Sequence, residues 1–169
     1  MTQENLRPGR VRVFTTGGTI DKVYFDARSR YEVGRPQISD MLKEVNASVE
    51  YAVESLFMKD SLDMNDEDRR LVLESVERAD EDRILITHGT DTMVETARVL
   101  SVAIGKTIVL VGSLSPSRFK GSDAEFNIGF ALAAVQLLPP GVYVAMNGLV
   151  FRHDEVQKNL EANRFETSA

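Results

Sequence analysis

A chain of 169 residues, 43% apolar and 27% charged, is long enough to bury one real core, and its lack of cysteine excludes disulfides, thiolate metal sites and cysteine nucleophiles together. A formal net charge of −6 without a lysine- or arginine-rich tract argues against nucleic acid or an anionic membrane surface as a partner. No apolar run approaches the roughly 18 residues of a membrane span, and the polar start lacks the apolar h-region of a signal peptide, so a cytoplasmic setting is expected.

Residues 11–14 form a short apolar run that stops at Thr15-Thr16-Gly17-Gly18-Thr19-Ile20, the pattern of a buried strand ended by a glycine turn. Residues 21–33 alternate less regularly and suggest a hairpin or flap. Pro36 opens a helix to about residue 46, with Ile38, Met41, Leu42 and Val45 on one face. Residues 49–57 read as a second strand. Asn65-Asp66-Glu67-Asp68 starts a helix that runs to about residue 79 on Leu71, Val72, Val76 and Ala79. Oxygen side chains there cap free N–H groups, and acids favour the positive end of the helix dipole. The run Asp80-Glu81-Asp82 reads as a solvated turn.

A third strand over residues 83–87 leads into Thr87-His88-Gly89-Thr90-Asp91-Thr92. Thr92-Met93-Val94-Glu95 has capping-box spacing; Met93, Ala97, Leu100 and Ile104 form the stripe of a helix that Gly105 ends. Residues 107–111 are a fourth strand, residues 123–138 a helix stopped by Pro139-Pro140-Gly141, residues 142–146 a fifth strand, and residues 149–151 a short further one. The polar tail over 153–169 has only weak helical pattern. Strands alternating with helices predict an α/β fold, a mainly parallel sheet with helices on both faces, as one domain over residues 1–169. Ligands of such sheets bind beyond the carboxyl ends of the strands, where both threonine-glycine turns fall.

Glycine-rich phosphate loops, H-E-x-x-H and G-x-S-x-G are all absent, which leaves threonine chemistry. A threonine hydroxyl is a weak nucleophile and needs a base or a cation beside it; Asp91 and Lys158 are available. Gly17, Gly18 and Gly89 allow backbone N–H groups to approach an oxyanion. Gly-Gly after a strand also serves as a plain turn, and Thr-Asp before a helix as a plain cap. His88 is expected to pack beneath the second turn rather than act as a base, and His153 to lie on the surface. Ser113, Ser115 and Ser117 are loop formers, while Met93 and Met146 belong to the core.

Thr15-Thr16-Gly17-Gly18-Thr19-Ile20 and Ile86-Thr87-His88-Gly89-Thr90-Asp91-Thr92-Met93 resemble the two signature motifs of the bacterial-type L-asparaginases. The resemblance extends to Asp63-Met64-Asn65-Asp66, to Val111-Gly112-Ser113 with Pro116-Ser117, and to residues 144–147. That family has a larger amino-terminal domain carrying these motifs and a smaller carboxyl-terminal one. The chain resembles its short members, with the first domain alone.

The resemblance implies hydrolysis of the side-chain amide of L-asparagine to L-aspartate and ammonia, with no cofactor or metal and with glutamine as a weaker substrate. It implies Thr16 as nucleophile and Tyr31 as the flap tyrosine that assists it, with Tyr24 the alternative. Thr90, Asp91 and Lys158 match the second catalytic group. Ser61 matches the residue that holds the substrate α-carboxylate, Asp91 also pairs with the α-ammonium, and Gly17 and Gly89 lie against the substrate. Leu62 stands where many members have a glutamine that contacts the ammonium, and leucine cannot make that bond. The family's further contact comes from the second domain, usually of a neighbouring subunit. A homo-oligomer, dimer or tetramer, is expected to cover the apolar surface on which a second domain would pack. Two other readings stay open: a non-catalytic module binding asparagine or aspartate, and an ammonia-supplying amidase subunit of a larger complex.

Overall fold

The computed structural model describes residues 9–25 and 30–168, with the backbone alone at Phe25. Strand β1 (Val11–Gly17) leads into a hairpin of β2 (Lys22–Phe25) and β3 (Arg30–Val33), then α1 (Ile38–Glu44) and β4 (Tyr51–Lys59). There follow α2 (Asp66–Arg78), β5 (Arg83–Thr87), α3 (Met93–Leu100), β6 (Thr107–Val111), α4 (Ala124–Leu137), β7 (Gly141–Met146) and β8 (Leu149–Arg152). A second hairpin of β9 (Val156–Asn159) and β10 (Arg164–Thr167) comes last.

The main sheet has the order β4-β1-β5-β6-β7-β8; all its strands run parallel except β8, which pairs antiparallel with β7. In β5 and β6, residues 84–86 and 108–111 are all fully buried. Successive strand residues face opposite sides, so both faces are covered, as a parallel sheet flanked by helices requires. The alternation of strands and helices is thus realised as expected.

Helix α2 starts where its cap places it. Asn65 Oδ1 accepts from the Asp68 N–H and Asp68 Oδ2 from the Asn65 N–H, each at 3.0 Å, a complete capping box. Along its length Leu71 is 38% exposed, and Val45 after α1 is 65% exposed, so neither belongs to the core face expected for it.

Other expectations are corrected as well. Strand β1 runs three residues past Phe14: Thr15 is β-branched and continues the ladder beside β5, and Gly17 pairs with Lys59 of β4. Helix α3 ends at Leu100, where Ser101 N–H turns back to the Arg98 carbonyl, leaving Ile104 93% exposed. The polar tail is the β9–β10 hairpin rather than a helix; its inward residues Val156 and Phe165 join the core. Glu81 is no solvated turn residue: its side chain is 8% exposed and held by Arg12 at 3.1 Å. His153 is half-buried rather than at the surface.

Candidate active site

Strands β1 and β5 are parallel neighbours, with Thr15 in register with Thr87. The two threonine-glycine turns therefore leave the sheet side by side at its carboxyl edge. Gly18 has φ +94°, and a Cβ there would lie 2.5 Å from both Cα and N of Gly89. The turns touch main chain to main chain, and only glycine at position 18 permits it. Gly17, at φ +101°, is packed as tightly against the Lys59 backbone and the Val33 side chain. Thr16 is 1% exposed, and its hydroxyl donates to the Thr87 carbonyl at 3.0 Å.

Lys158 reaches this edge from β9. Its ammonium donates to Asp91 Oδ1 at 2.6 Å and to Thr90 Oγ1 at 2.9 Å. The lysine side chain is 9% exposed and Thr90 5%, whereas the Asp91 side chain is 37% exposed. A buried cation beside a hydroxyl stabilises negative charge on that oxygen, which is what an activated threonine system requires.

Ser61 opens the short turn Ser61–Asp63, whose first N–H bond is taken by the preceding Asp60: its Oδ1 accepts from Leu62 N–H at 3.2 Å. Ser61 is 1% exposed, yet its hydroxyl has no partner among the described residues, an uncommon state for a buried polar group. It lies against Gly89, where a Cβ would come within 2.6 Å of Ser61 Oγ. Leu62 is 71% exposed and offers no side-chain hydrogen bond.

His88 supports the second turn from below. It is fully buried, and burial pushes its pKa down to about 4, with the Arg69 charge adding to this and the Gly89 bond opposing it. The neutral ring fits its contacts: Nδ1–H donates to the Gly89 carbonyl at 2.7 Å, and Nε2 accepts from Thr96 Oγ1 at 2.8 Å.

Tyr24 and Tyr31 are register partners across the β2–β3 hairpin, with ring centroids 5.5 Å apart. Tyr31 also meets Phe119 at 5.6 Å. Both tyrosines are about half exposed and neither hydrogen-bonds to Thr16. The structure thus brings Thr16, Thr90, Asp91, Lys158, Ser61, Gly17 and Gly89 to one edge, and joins neither tyrosine to Thr16. Thr92 does not make the side-chain cap that its spacing suggests. Its hydroxyl donates to the Ser61 carbonyl at 2.8 Å and so braces the serine turn; no local pattern signals a bond to a turn so far back in the chain. Asp60 has a legible signal, an aspartate two residues before the N–H it caps.

Fold and site together define an α/β protein in which buried threonines meet a lysine–aspartate pair at the carboxyl edge of a parallel sheet. Residues 10–167 match the family model described as Asparaginase, N-terminal. The chain belongs to the asparaginase family, by that N-terminal domain. It is 34% identical over 131 residues to a glutaminase-asparaginase of Acinetobacter glutaminasificans, covering 74% of this chain and 38% of that one. It is also 34% identical over 152 residues to a glutamyl-tRNA(Gln) amidotransferase subunit of Metallosphaera sedula, covering 85% of this chain and 35% of the relative. The structure of a probable cytoplasmic L-asparaginase from Campylobacter jejuni superposes with a TM-score of 0.78 at 28% identity, covering 94% of this chain and 51% of the other. The chain therefore spans less than half the length of these two curated relatives.

Proposed function

We propose that the chain hydrolyses L-asparagine to L-aspartate and ammonia through a threonine acyl-enzyme. The observation that carries this reading is the Lys158 ammonium bonded at once to Thr90 and Asp91, at 2.9 and 2.6 Å, beside the strand end that bears Thr16. Thr16 Oγ attacks the side-chain amide carbon, and backbone N–H groups near Thr90 hold the oxyanion. The carbon–nitrogen bond breaks and the nitrogen leaves as ammonia with the proton from Thr16. Water then cleaves the ester and releases aspartate. Lys158, Asp91 and Thr90 orient and activate; Ser61 seats the α-carboxylate and Asp91 the α-ammonium, with Gly17 and Gly89 bordering the seat. Tyr31, or Tyr24 beside it, assists when the flap closes.

Ammonia release from L-asparagine by the purified chain tests this reading. Thr16→Ala is expected to abolish release while the circular dichroism spectrum stays unchanged; turnover at the unaltered rate would sink the Thr16 role. Aspartate binding without any release would identify a binding module instead. The glutaminase-asparaginase relative favours glutamine as a second substrate. The amidotransferase relative favours a second reading, an amidase subunit that supplies ammonia to a larger complex; the net charge of −6 weighs against direct contact with tRNA. We place the chain in the cytoplasm, as in the Campylobacter neighbour; among the described residues no helix is long and apolar enough to cross a membrane. A homo-oligomer, dimer or tetramer, is supported by the exposed Phe126, Leu137 and Leu149, and sedimentation measures it.

A further inference from the structure

The β2–β3 hairpin and the Ser61 turn come from separate parts of the chain, and one carboxylate binds both. Asp60 Oδ1 accepts from the Leu62 N–H at 3.2 Å, inside the turn. Asp60 Oδ2 accepts from Lys22 Nζ at 2.6 Å, and Lys22 is the first residue of β2. Lys22 is in register with Val33 of β3, and Val33 packs on Gly17 beside Thr16. On the other side, the Ser61 carbonyl is braced by Thr92 and the Ser61 side chain lies on Gly89. A continuous set of contacts thus runs from the flap through Lys22 and Asp60 to the serine whose hydroxyl has no partner among the described residues. Beside this bridge, hairpin and turn are separated by a groove of about 390 Å³, lined among others by Arg30, Tyr31, Met58 and Asp63.

We propose that Asp60 is a positioning residue that ties the base of the β2–β3 hairpin to the Ser61 turn, so that the order of the hairpin base and the setting of the seat for the substrate carboxylate depend on one ion pair. This rests on the asparaginase reading for its substrate and not for its mechanics. The strength of the tie suits the role. Lys22 and Asp60 side chains are 27% and 26% exposed, so water screens the pair. Such a bond shifts the local opening of the elements it joins about fivefold, enough to be read by exchange and small beside the stability of the whole fold.

The test uses the full chain with Lys22→Met, Lys22→Arg, Asp60→Asn and the double variant Lys22→Met with Asp60→Asn. Hydrogen exchange is followed at Lys22–Phe25, Arg30–Val33 and Ser61–Asp63, with and without L-aspartate. Lys22→Met is expected to speed exchange about fivefold in the hairpin and in the Ser61 turn together, and Lys22→Arg to restore both. KM for L-asparagine is expected to rise about fivefold while kcat stays within about twofold, and the double variant to be no worse than either single one. Raising the ionic strength should weaken the unaltered chain in the same direction and leave Lys22→Met unmoved. Faster exchange confined to the hairpin, with the Ser61 turn unchanged, overturns the tie. Should the unaltered chain release no ammonia, the asparaginase reading fails, while the exchange data still decide whether Asp60 couples the two elements. If Asp60→Asn does not fold, Lys22→Met decides alone.

Discussion

Gly89 lacks a side chain because Ser61 occupies the place where one would go, with a Cβ there 2.6 Å from Ser61 Oγ. Its φ is not in the left-handed region, so alanine at 89 can be accommodated by the backbone and acts by pushing the serine away. Gly89→Ala is expected to weaken L-aspartate binding by about tenfold or more, since a displaced buried hydroxyl forfeits roughly 1–3 kcal/mol. Its thermal unfolding should move far less than that of Gly18→Ala. The latter combines φ +94° with a clash against main chain. Titration calorimetry and a melting curve check both; unaltered affinity in Gly89→Ala would remove Ser61 from the seat. At this scale the sequence displays the threonines, the glycines and their spacing. It hides what each glycine touches, since Gly18 and Gly89 meet only when β1 and β5 lie side by side.

Two stretches carry the same four-residue capping pattern, Asn65 to Asp68 and Thr92 to Glu95, and only the first closes. In the second, Thr92 turns its hydroxyl to the Ser61 carbonyl and Glu95 pairs with Arg69 at 3.0 Å. Tertiary partners outcompete the local bond, which no window of sequence can register. The asparagine-led and threonine-led helices should therefore respond differently. Asn65→Ala is expected to cost about 1 kcal/mol of stability in chemical unfolding. Thr92→Val should cost the fold less and raise KM for asparagine, with Thr92→Ser restoring it. Equal stability losses without a KM effect would refute the bracing role. The last hairpin is obscured for a related reason. Its inward positions Val156 and Phe165 are too few to show a period of two, so β9 and β10 pass for weak helix in the sequence.

For the molecule as a whole, two buried groups pull stability in opposite directions with pH. Burial pushes the Asp21 carboxyl up from 3.8 to about 6, partly offset by the Gln37 N–H at 2.9 Å. The folded chain then keeps a proton that the unfolded chain releases, so this group removes stability as pH rises from about 4 to 6. His88, pushed down from 6.5 to about 4, does the reverse: the unfolded chain takes up the extra proton, and stability rises with pH over nearly the same interval. Each slope approaches about 1.4 kcal/mol per pH unit, and the two nearly cancel. Relative to the unaltered chain, stability to urea across this window should rise more steeply with pH in Asp21→Asn and less steeply, or fall, in His88→Asn. Identical profiles in all three proteins would contradict the assignment. The alternation of strands and helices is legible at this scale. The position of β1 between β4 and β5 is not, because pairing order depends on crossovers that leave no periodicity. The place of Lys158 in the chain also bears on proteolysis. It lies beyond Arg152, the end of the last strand of the main sheet. A chain cut after Arg152 keeps every strand of that sheet and loses Lys158 together with Val156 and Phe165, two residues of the core. One cut in the tail would thus strip Thr90 and Asp91 of their bonded ammonium and open the core in the same stroke.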